Sequence, residues 1–485
     1  MVGRVVDLII RPLSLPAGPG GLENLFWGLR RTPYAMLLLS GGSLDCSRYS
    51  IMGWDPYLVM QAKGRQVTVQ AAAGVQSREA DPFTVLAEVL ASLELPGEPP
   101  IPPFSAGGVG FLAYELKNHL ERLPQDAVDD LGLPDMIWAF PRRLVVQDRW
   151  AGRCWQIQVV HEPPGGRAGG GRDQPELADL LAQSDHGLAS YAVGRLRSTF
   201  DRERYLQAVA RTREYIRQGH IYQVNLSQRF SFPFQGDFYT LLLQLFHRNP
   251  APFYAYLNCG GFQILSTSME RFLHRQGEYL ETRPIKGTRP RGATPSEDAI
   301  FRRELEASLK EDAELSMIVD LLRNDLGRVC CGGTIGVKEH KRLEAYENVY
   351  HLVSIVTGGL RPDCSHVDIL RATFPGGSIT GCPKIRAMEI IDELEPVVRH
   401  VYCGSIGYLG LHRNLDLSIA IRTAIRYQDQ VHFAVGGGIV YDSEEEAEYE
   451  ETLHKGMTLF KIIGQGGMDK DSVKAAAATS RLKRG

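Results

Sequence analysis

What the chain lacks narrows it first. Its eight cysteines (46, 154, 259, 330, 331, 364, 382 and 403) are scattered, with no C-x-x-C and no paired Cys/His spacing. That excludes a structural zinc site and a disulfide framework, and it fits a reduced, cytoplasmic enzyme. Charge of one sign is also missing: the formal net charge is −3, which points to no nucleic-acid partner. Apolar runs such as Ala35 to Leu39 are far too short to span a bilayer, so no membrane partner is expected. Met1 to Pro12, interrupted by Asp7 and Arg11, does not read as a secretory signal. There is no G-x-x-x-x-G-K-S/T phosphate loop, no G-x-S-x-G elbow and no cysteine in glutaminase surroundings.

What remains is a globular composition over 485 residues, enough for roughly two to four domain-sized units. Residues 1–160 read as strand-rich, with β-prone runs at Ala35 to Leu39, Gln66 to Gln70 and Leu144 to Gln147. Residues 161–198 form a variable linker region around the Gly/Pro-rich stretch Pro163 to Gly171. From 199 to 463 strands and helices alternate. Asp201 opens a helix with Tyr205, Val209, Thr212 and Ile216 on one face, stopping near Gly219. Segment 311–326 carries a stripe of Leu315, Ile318, Val319, Leu322 and Leu326, and 385–394 is a further helix. A later helix should start at Ser443, capped with Glu446 three residues on. Residues 464–485, rich in Gly, Ala, Lys and Arg, are expected to be a disordered tail.

Several residues could carry chemistry. Lys286 stands in Arg283-Pro284-Ile285-Lys286-Gly287-Thr288, where Pro284 stiffens a turn and Gly287 permits close approach to a ligand. Near carboxylates and apolar walls such a lysine can lose its proton and act as a nucleophile; otherwise it is a solvated loop residue. Glu270, sixteen residues earlier, is either a general acid or an exposed strand end. Glu311 and Glu314 lie three apart, as do Glu448 and Glu451, so each pair shares a helix face. Two solvated helix starts would explain them, and so would a convergent Mg²⁺ site. Gly436-Gly437-Gly438 reads as a backbone cradle for a carboxylate, or as a turn or bulge. Arg422, in an apolar strand-like run, needs an anion: a substrate carboxylate or a structural ion pair. Cys382 reads as a small buried residue.

Taken in order, these runs resemble the chorismate-utilising enzymes, most closely the large subunits of the aminodeoxychorismate synthases. The matching stretches are Ile221 to Leu226, Ser268 to Phe272, Arg283 to Arg289, Met317 to Leu321 with Arg323 to Asp325, His351 to Ser354, Phe374 to Gly381 leading into Pro383 and Lys384, Gly404 to Tyr408, and Gly436 to Ser443 with Glu451 and Thr452. The resemblance is dense over 200–463 and loose before it. It implies an α/β (α+β) fold of two packed antiparallel β-sheets flanked by helices.

It also implies roles. Lys286 would attack C2 of chorismate while Glu270 protonates the departing C4 hydroxyl, and ammonia from a separate glutamine amidotransferase subunit would then enter at C4. Gly287, Thr288, Tyr402, Arg422 and Gly436, Gly437 and Gly438 would bind chorismate, with His351 and Lys455 near the site. Glu314 and Glu451, with Glu448, would hold Mg²⁺. Anthranilate synthases resemble Pro-Ile-Ala-Gly-Thr where this chain has Lys286, and isochorismate synthases place a lysine base where it has Gln223. Ser40, Arg48, Tyr49, Pro252, Phe253 and Tyr254 resemble the family's tryptophan pocket, with Leu39 standing where a glutamate would meet the amine. Met269 stands where the family has proline, a change expected to loosen Glu270. Two rival readings are an anthranilate synthase large subunit and a non-catalytic, tryptophan-binding regulatory protein.

Overall fold

The computed structural model of the chain describes residues 2–15, 21–163, 175–182, 187 and 189–465. Of the expected linker, Pro164 to Gly171 fall outside these residues, as does the expected tail from 466 onward.

The chain is a mixed α/β fold on antiparallel strands, arranged as two runs. One passes from Val349–Gly359 through Tyr279–Arg283, Arg271–Gln276, Asn414–Ile419 and Ser405–Gly410 to Gly107–Leu112 and Met136–Asp148. The other passes from Gln223–Gly236 through Gln430–Ile439, Thr423–Tyr427, Phe262–Ser268, Phe253–Asn258 and Met36–Leu39 to Tyr49–Lys63. The long strands Tyr49–Lys63 and Met136–Asp148 pair with each other and join the two runs into one continuous system. The two packed sheets expected from the sequence are these runs.

Period-two alternation decides what lies between them. In Phe253–Asn258, Ala255 and Leu257 enter one core with Ile264, Phe111, Leu273, Leu415 and Leu417, which come from both runs. Phe111 and Phe262 meet edge to face across it at 6.0 Å. Tyr254 and Tyr256 face the other way, into a second core with Leu37, Leu39, Leu265 and the helix Phe238–Arg248. Both faces are covered, so such strands read as unbroken apolar runs.

Two direct strand-to-strand crossings from one run to the other lie side by side. Phe262–Ser268 passes to Arg271–Gln276 through Met269 and Glu270; Asn414–Ile419 passes to Thr423–Tyr427 through Ala420, Ile421 and Arg422. The Ile419 N–H donates to the Glu270 carbonyl at 3.0 Å, and the Thr267 N–H to the Arg422 carbonyl at 3.1 Å. Arg422 adopts φ +50°, a left-handed conformation costly for a side-chain-bearing residue. Two charged residues, Glu270 and Arg422, thus stand at adjacent crossings.

The helices form where their local signals place them. Arg202–Arg217 follows Asp201, whose carboxylate accepts the Arg204 N–H. Leu309–Gly327 follows Ser308, which accepts the Glu311 N–H, and buries Leu315, Ile318, Val319, Leu322 and Leu326. Lys384–Leu394 matches the 385–394 expectation. One expected cap fails. In Glu445–Gln465 the Ser443 hydroxyl donates to Glu448 Oε1 at 2.6 Å, while Glu446 pairs with Arg202 on the surface. A buried carboxylate outcompetes an exposed one for that hydroxyl, because an unmet buried charge costs more.

Candidate active site

Lys286 lies in the strand Ile285–Pro290, not in a turn. Its register against Val349–Gly359 slips between Lys286 and Thr288, leaving Gly287 as the extra residue at φ +73°. Such a bulge re-aims the side chain beside it, and glycine suits the left-handed backbone. A side chain at Gly287 would also press on Leu305 Cδ1 at 2.9 Å and Glu311 Oε2 at 3.2 Å. Lys286 is half-buried. Burial lowers its ammonium pKa, with Lys455 acting in the same sense and Glu314, Glu270 and Glu451 opposing.

The glycine run is part of a regular strand, neither a turn nor a bulge. Gly436, Gly437 and Gly438 pair with Ser227, Leu226 and Asn225. The neighbour Thr423–Tyr427 pairs only as far as Phe433, so beyond it the second edge carries no strand. None of the three has a positive φ; they are needed for space. A Cβ on Gly438 would stand 2.3 Å from Gln223 Nε2 and 3.4 Å from Lys286 Nζ. One on Gly436 would stand 3.0 Å from the Tyr402 hydroxyl, and one on Gly437 3.0 Å from Glu448 Oε2 and 3.7 Å from Glu451 Oε1. Lys455 Nζ donates to the Gly436 carbonyl at 3.0 Å and pairs with Glu451 at 2.7 Å. The bare strand edge lets these side chains converge.

Glu270 is 4% exposed, and burial pushes its carboxyl up to about 7. Ser378 Oγ donates to its Oε1 at 2.5 Å, and the Ile285 backbone N–H also bonds to it. Met269 beside it is also buried. The exposed-strand-end alternative therefore fails.

Arg422 has no acidic partner acting on it among the described residues. Burial lowers its guanidinium, and only the Tyr254 and Tyr346 hydroxyls oppose that. A sheltered cation of this kind can receive an anion. His351 is buried and held neutral, lowered to about 3 by burial and then by Arg422. Its Nδ1 lies 3.0 Å from Thr288 Oγ1 and 3.2 Å from the Gly287 carbonyl, while Nε2 has no protein partner.

Glu314 and Glu448 each feel the charge of Glu451. Burial raises Glu314 and Glu448, and Glu448 Oε2 is buried with no hydrogen-bond partner. Lys455, first among the influences, lowers Glu451. Neighbouring carboxylates, one with a buried oxygen left unmet, fit a hard divalent cation. Among the described residues no three such side chains are already gathered into a ligand shell.

A separate cavity of about 550 Å³ brings together Ser40, Arg48, Tyr49, Pro252, Phe253 and Tyr254, with Leu39 in its wall. Ser40 Oγ donates to the Tyr49 carbonyl at 2.6 Å and the Pro252 carbonyl at 3.1 Å. Among the described residues no helix is long and apolar enough to cross a membrane. Cys382 is half-buried, in a short strand paired with Gln223.

Sequence reasoning gave Ser378 no role. The only signal was a hydroxyl set between Gly377 and Ile379 in a motif-bearing run, and its partner lies 108 residues away.

The chorismate binding enzyme family model matches residues 41–461. Aminodeoxychorismate synthase component 1 of Klebsiella aerogenes is 41% identical over 448 residues, covering 91% of this chain and 96% of that one. Anthranilate synthase component 1 of Cereibacter sphaeroides is 36% identical, covering 90% of each chain. Among solved structures, anthranilate synthase component I from Streptococcus pneumoniae superimposes with a TM-score of 0.73 at 30% identity, over 85% of this chain and 92% of that one.

Proposed function

The chain belongs to the chorismate binding enzymes, and from that premise we propose that it converts chorismate and ammonia to 4-amino-4-deoxychorismate. The observation that carries this reading is an amine of lowered pKa, Lys286 Nζ, held at the Gly438 strand in the field of the buried acid Glu270.

The steps balance as follows. Neutral Lys286 forms a bond to C2 while both conjugated ring double bonds shift and the C4 hydroxyl leaves, taking a proton from Glu270 to depart as water. Ammonia then adds at C4, both double bonds shift back, and the lysine amine is expelled from C2. The pyruvyl ether is retained, so a different reaction must eliminate it. Arg422 and the open edge at Gly436 to Gly438 would receive the substrate's carboxylates, with Tyr402, Thr288, His351 and Lys455 around them. Mg²⁺ held by Glu314, Glu451 and Glu448 would neutralise a substrate carboxylate. A separate glutamine amidotransferase subunit would supply the ammonia, consistent with the "component 1" in the relatives' names.

The 550 Å³ cavity supports a second, subordinate proposal, that it holds tryptophan structurally. Leu39 offers no charge to an amine, which argues against feedback control.

The test is product analysis with chorismate, Mg²⁺ and ammonium. Aminodeoxychorismate, read as 4-aminobenzoate after adding a lyase, is expected, and added tryptophan should leave its formation unchanged. Anthranilate as the product would overturn the proposal; no turnover with intact tryptophan binding would favour the regulatory reading.

Arg422→Met should raise KM for chorismate about 10- to 100-fold with kcat changed less, the worth of one charge-assisted contact made in both ground and transition states. An unchanged KM in steady-state kinetics would remove Arg422 from the substrate site.

A further inference from the structure

We propose that Ser378 is the positioning residue of the acid: its hydroxyl aims the Glu270 carboxyl and takes up the negative charge left there once the proton has gone. This rests on the proposed reading of Glu270 as the proton donor.

Three observations carry it. Ser378 Oγ donates to Glu270 Oε1 at 2.5 Å, and no other hydrogen bond of that hydroxyl is seen among the described residues. The turn that presents it, Gly377–Ile379, is fixed without it. Thr380 Oγ1 bonds back to the Gly376 carbonyl at 3.1 Å and the Gly377 carbonyl at 3.3 Å, and the Asn225 N–H donates to the Thr380 carbonyl at 2.8 Å. Gly377 is pressed against Leu321 so closely that a Cβ would stand 2.7 Å from Leu321 Cδ2, which ties the turn to the helix bearing Glu314. The hydroxyl is therefore dispensable for the fold and aimed at one atom.

The chemistry follows from burial. A carboxyl in an apolar pocket holds its proton well but pays heavily once ionised. The donors meeting the new charge are Ser378 and the Ile285 N–H; Lys286 and, more weakly, Cys403 are the titratable groups facing it. Among the influences opposing the rise of this carboxyl, Ser378 is the largest. Its hydrogen bond strengthens as the proton moves, so it acts on the transition state more than on substrate binding.

The test follows chorismate consumption, whatever the product, from about pH 6 to 9 for wild type, Ser378→Ala and Ser378→Thr. Ser378→Ala should lower kcat about 10- to 100-fold with KM within about twofold. The alkaline limb of kcat/KM should move upward by about one pH unit, because the ionised acid loses a donor. Ser378→Thr, which keeps the hydroxyl, should restore both. An alkaline limb that stays in place in Ser378→Ala overturns the proposal, even where the rate falls. If Ser378→Ala does not fold, the carboxyl shift of ¹³C-labelled Glu270 in Ser378→Cys decides, since a weaker donor must raise that titration. Wild type that consumes chorismate without making aminodeoxychorismate would instead sink the proposed function and leave this test standing.

Discussion

Lys286→Ala should lose amination of chorismate at C4 by at least about a thousandfold, because the proposed route to C4 passes through the bond that this amine forms to C2. The loss should fall on kcat, since Arg422 and the Gly436 to Gly438 edge remain to bind substrate. The fold should survive: Lys286 is half-buried, and the Gly287 bulge that sets its direction depends on backbone pairing with Leu352 and His351. Removing a desolvated amine should leave thermal stability unchanged or slightly higher. Mass spectrometry gives the discriminating readout. Wild type mixed with chorismate and no ammonia should gain the mass of chorismate less one water, mapped to the peptide containing Lys286, and the alanine variant should gain nothing. Full activity in the variant, or an adduct mapping elsewhere, would eliminate the covalent route. Anthranilate formed by the variant would show that the lysine diverts a shared scaffold.

Glu270→Gln should cost about 10² to 10⁴ in kcat, the usual worth of a positioned proton donor. The pH profile should change with it. The competent state needs Glu270 protonated and Lys286 neutral, so wild-type activity should fall as pH rises through about 7, the value to which burial raises the carboxyl. Lys286, itself lowered by burial, gives up its proton with rising pH and so contributes a limb of the opposite sense. The two groups act on each other, so each limb belongs to the pair. Glutamine removes the falling limb. It also removes a charge that favours the Lys286 ammonium, which moves the rising limb to lower pH.

Stability should run the other way. Below its ordinary value the carboxyl is protonated whether the chain is folded or not, and Glu270 is neutral in effect. Above that value the unfolded chain releases the proton while the folded one keeps it up to about 7, so wild type loses stability as pH rises through that window. The loss is on the order of 3 kcal/mol by pH 8. Glu270→Gln should therefore match the wild-type Tm near pH 4.5 and exceed it at pH 8. Equal Tm values at both would mean that the carboxyl is not held protonated by burial.

Whatever depends on a few neighbouring residues was legible from the chain alone. Asp201 as a cap, the apolar stripe from Leu315 to Leu326, and the scattered, unpaired cysteines all follow from spacing, because helix geometry and covalent chemistry act over one or two turns. The motif order also implied the family, and with it the roles offered for Lys286, Glu270 and the glycine run.

Only the tertiary structure decided which reading of each residue holds. Glu270 read equally well as a strand end; it lies buried because the chain crosses there from one run of strands to the other, beside the crossing that carries Arg422. Gly436 to Gly438 read as a carboxylate cradle or as a turn or bulge; they form a strand edge left bare because Thr423–Tyr427 stops pairing at Phe433. Ser443 was matched with Glu446 by spacing, yet Glu448 takes it, since burial raises the cost of leaving that carboxylate unmet. Ser378 meets Glu270 across 108 residues. Desolvation, like-charge crowding and open strand edges come from elements distant in the chain, so no local pattern can encode them.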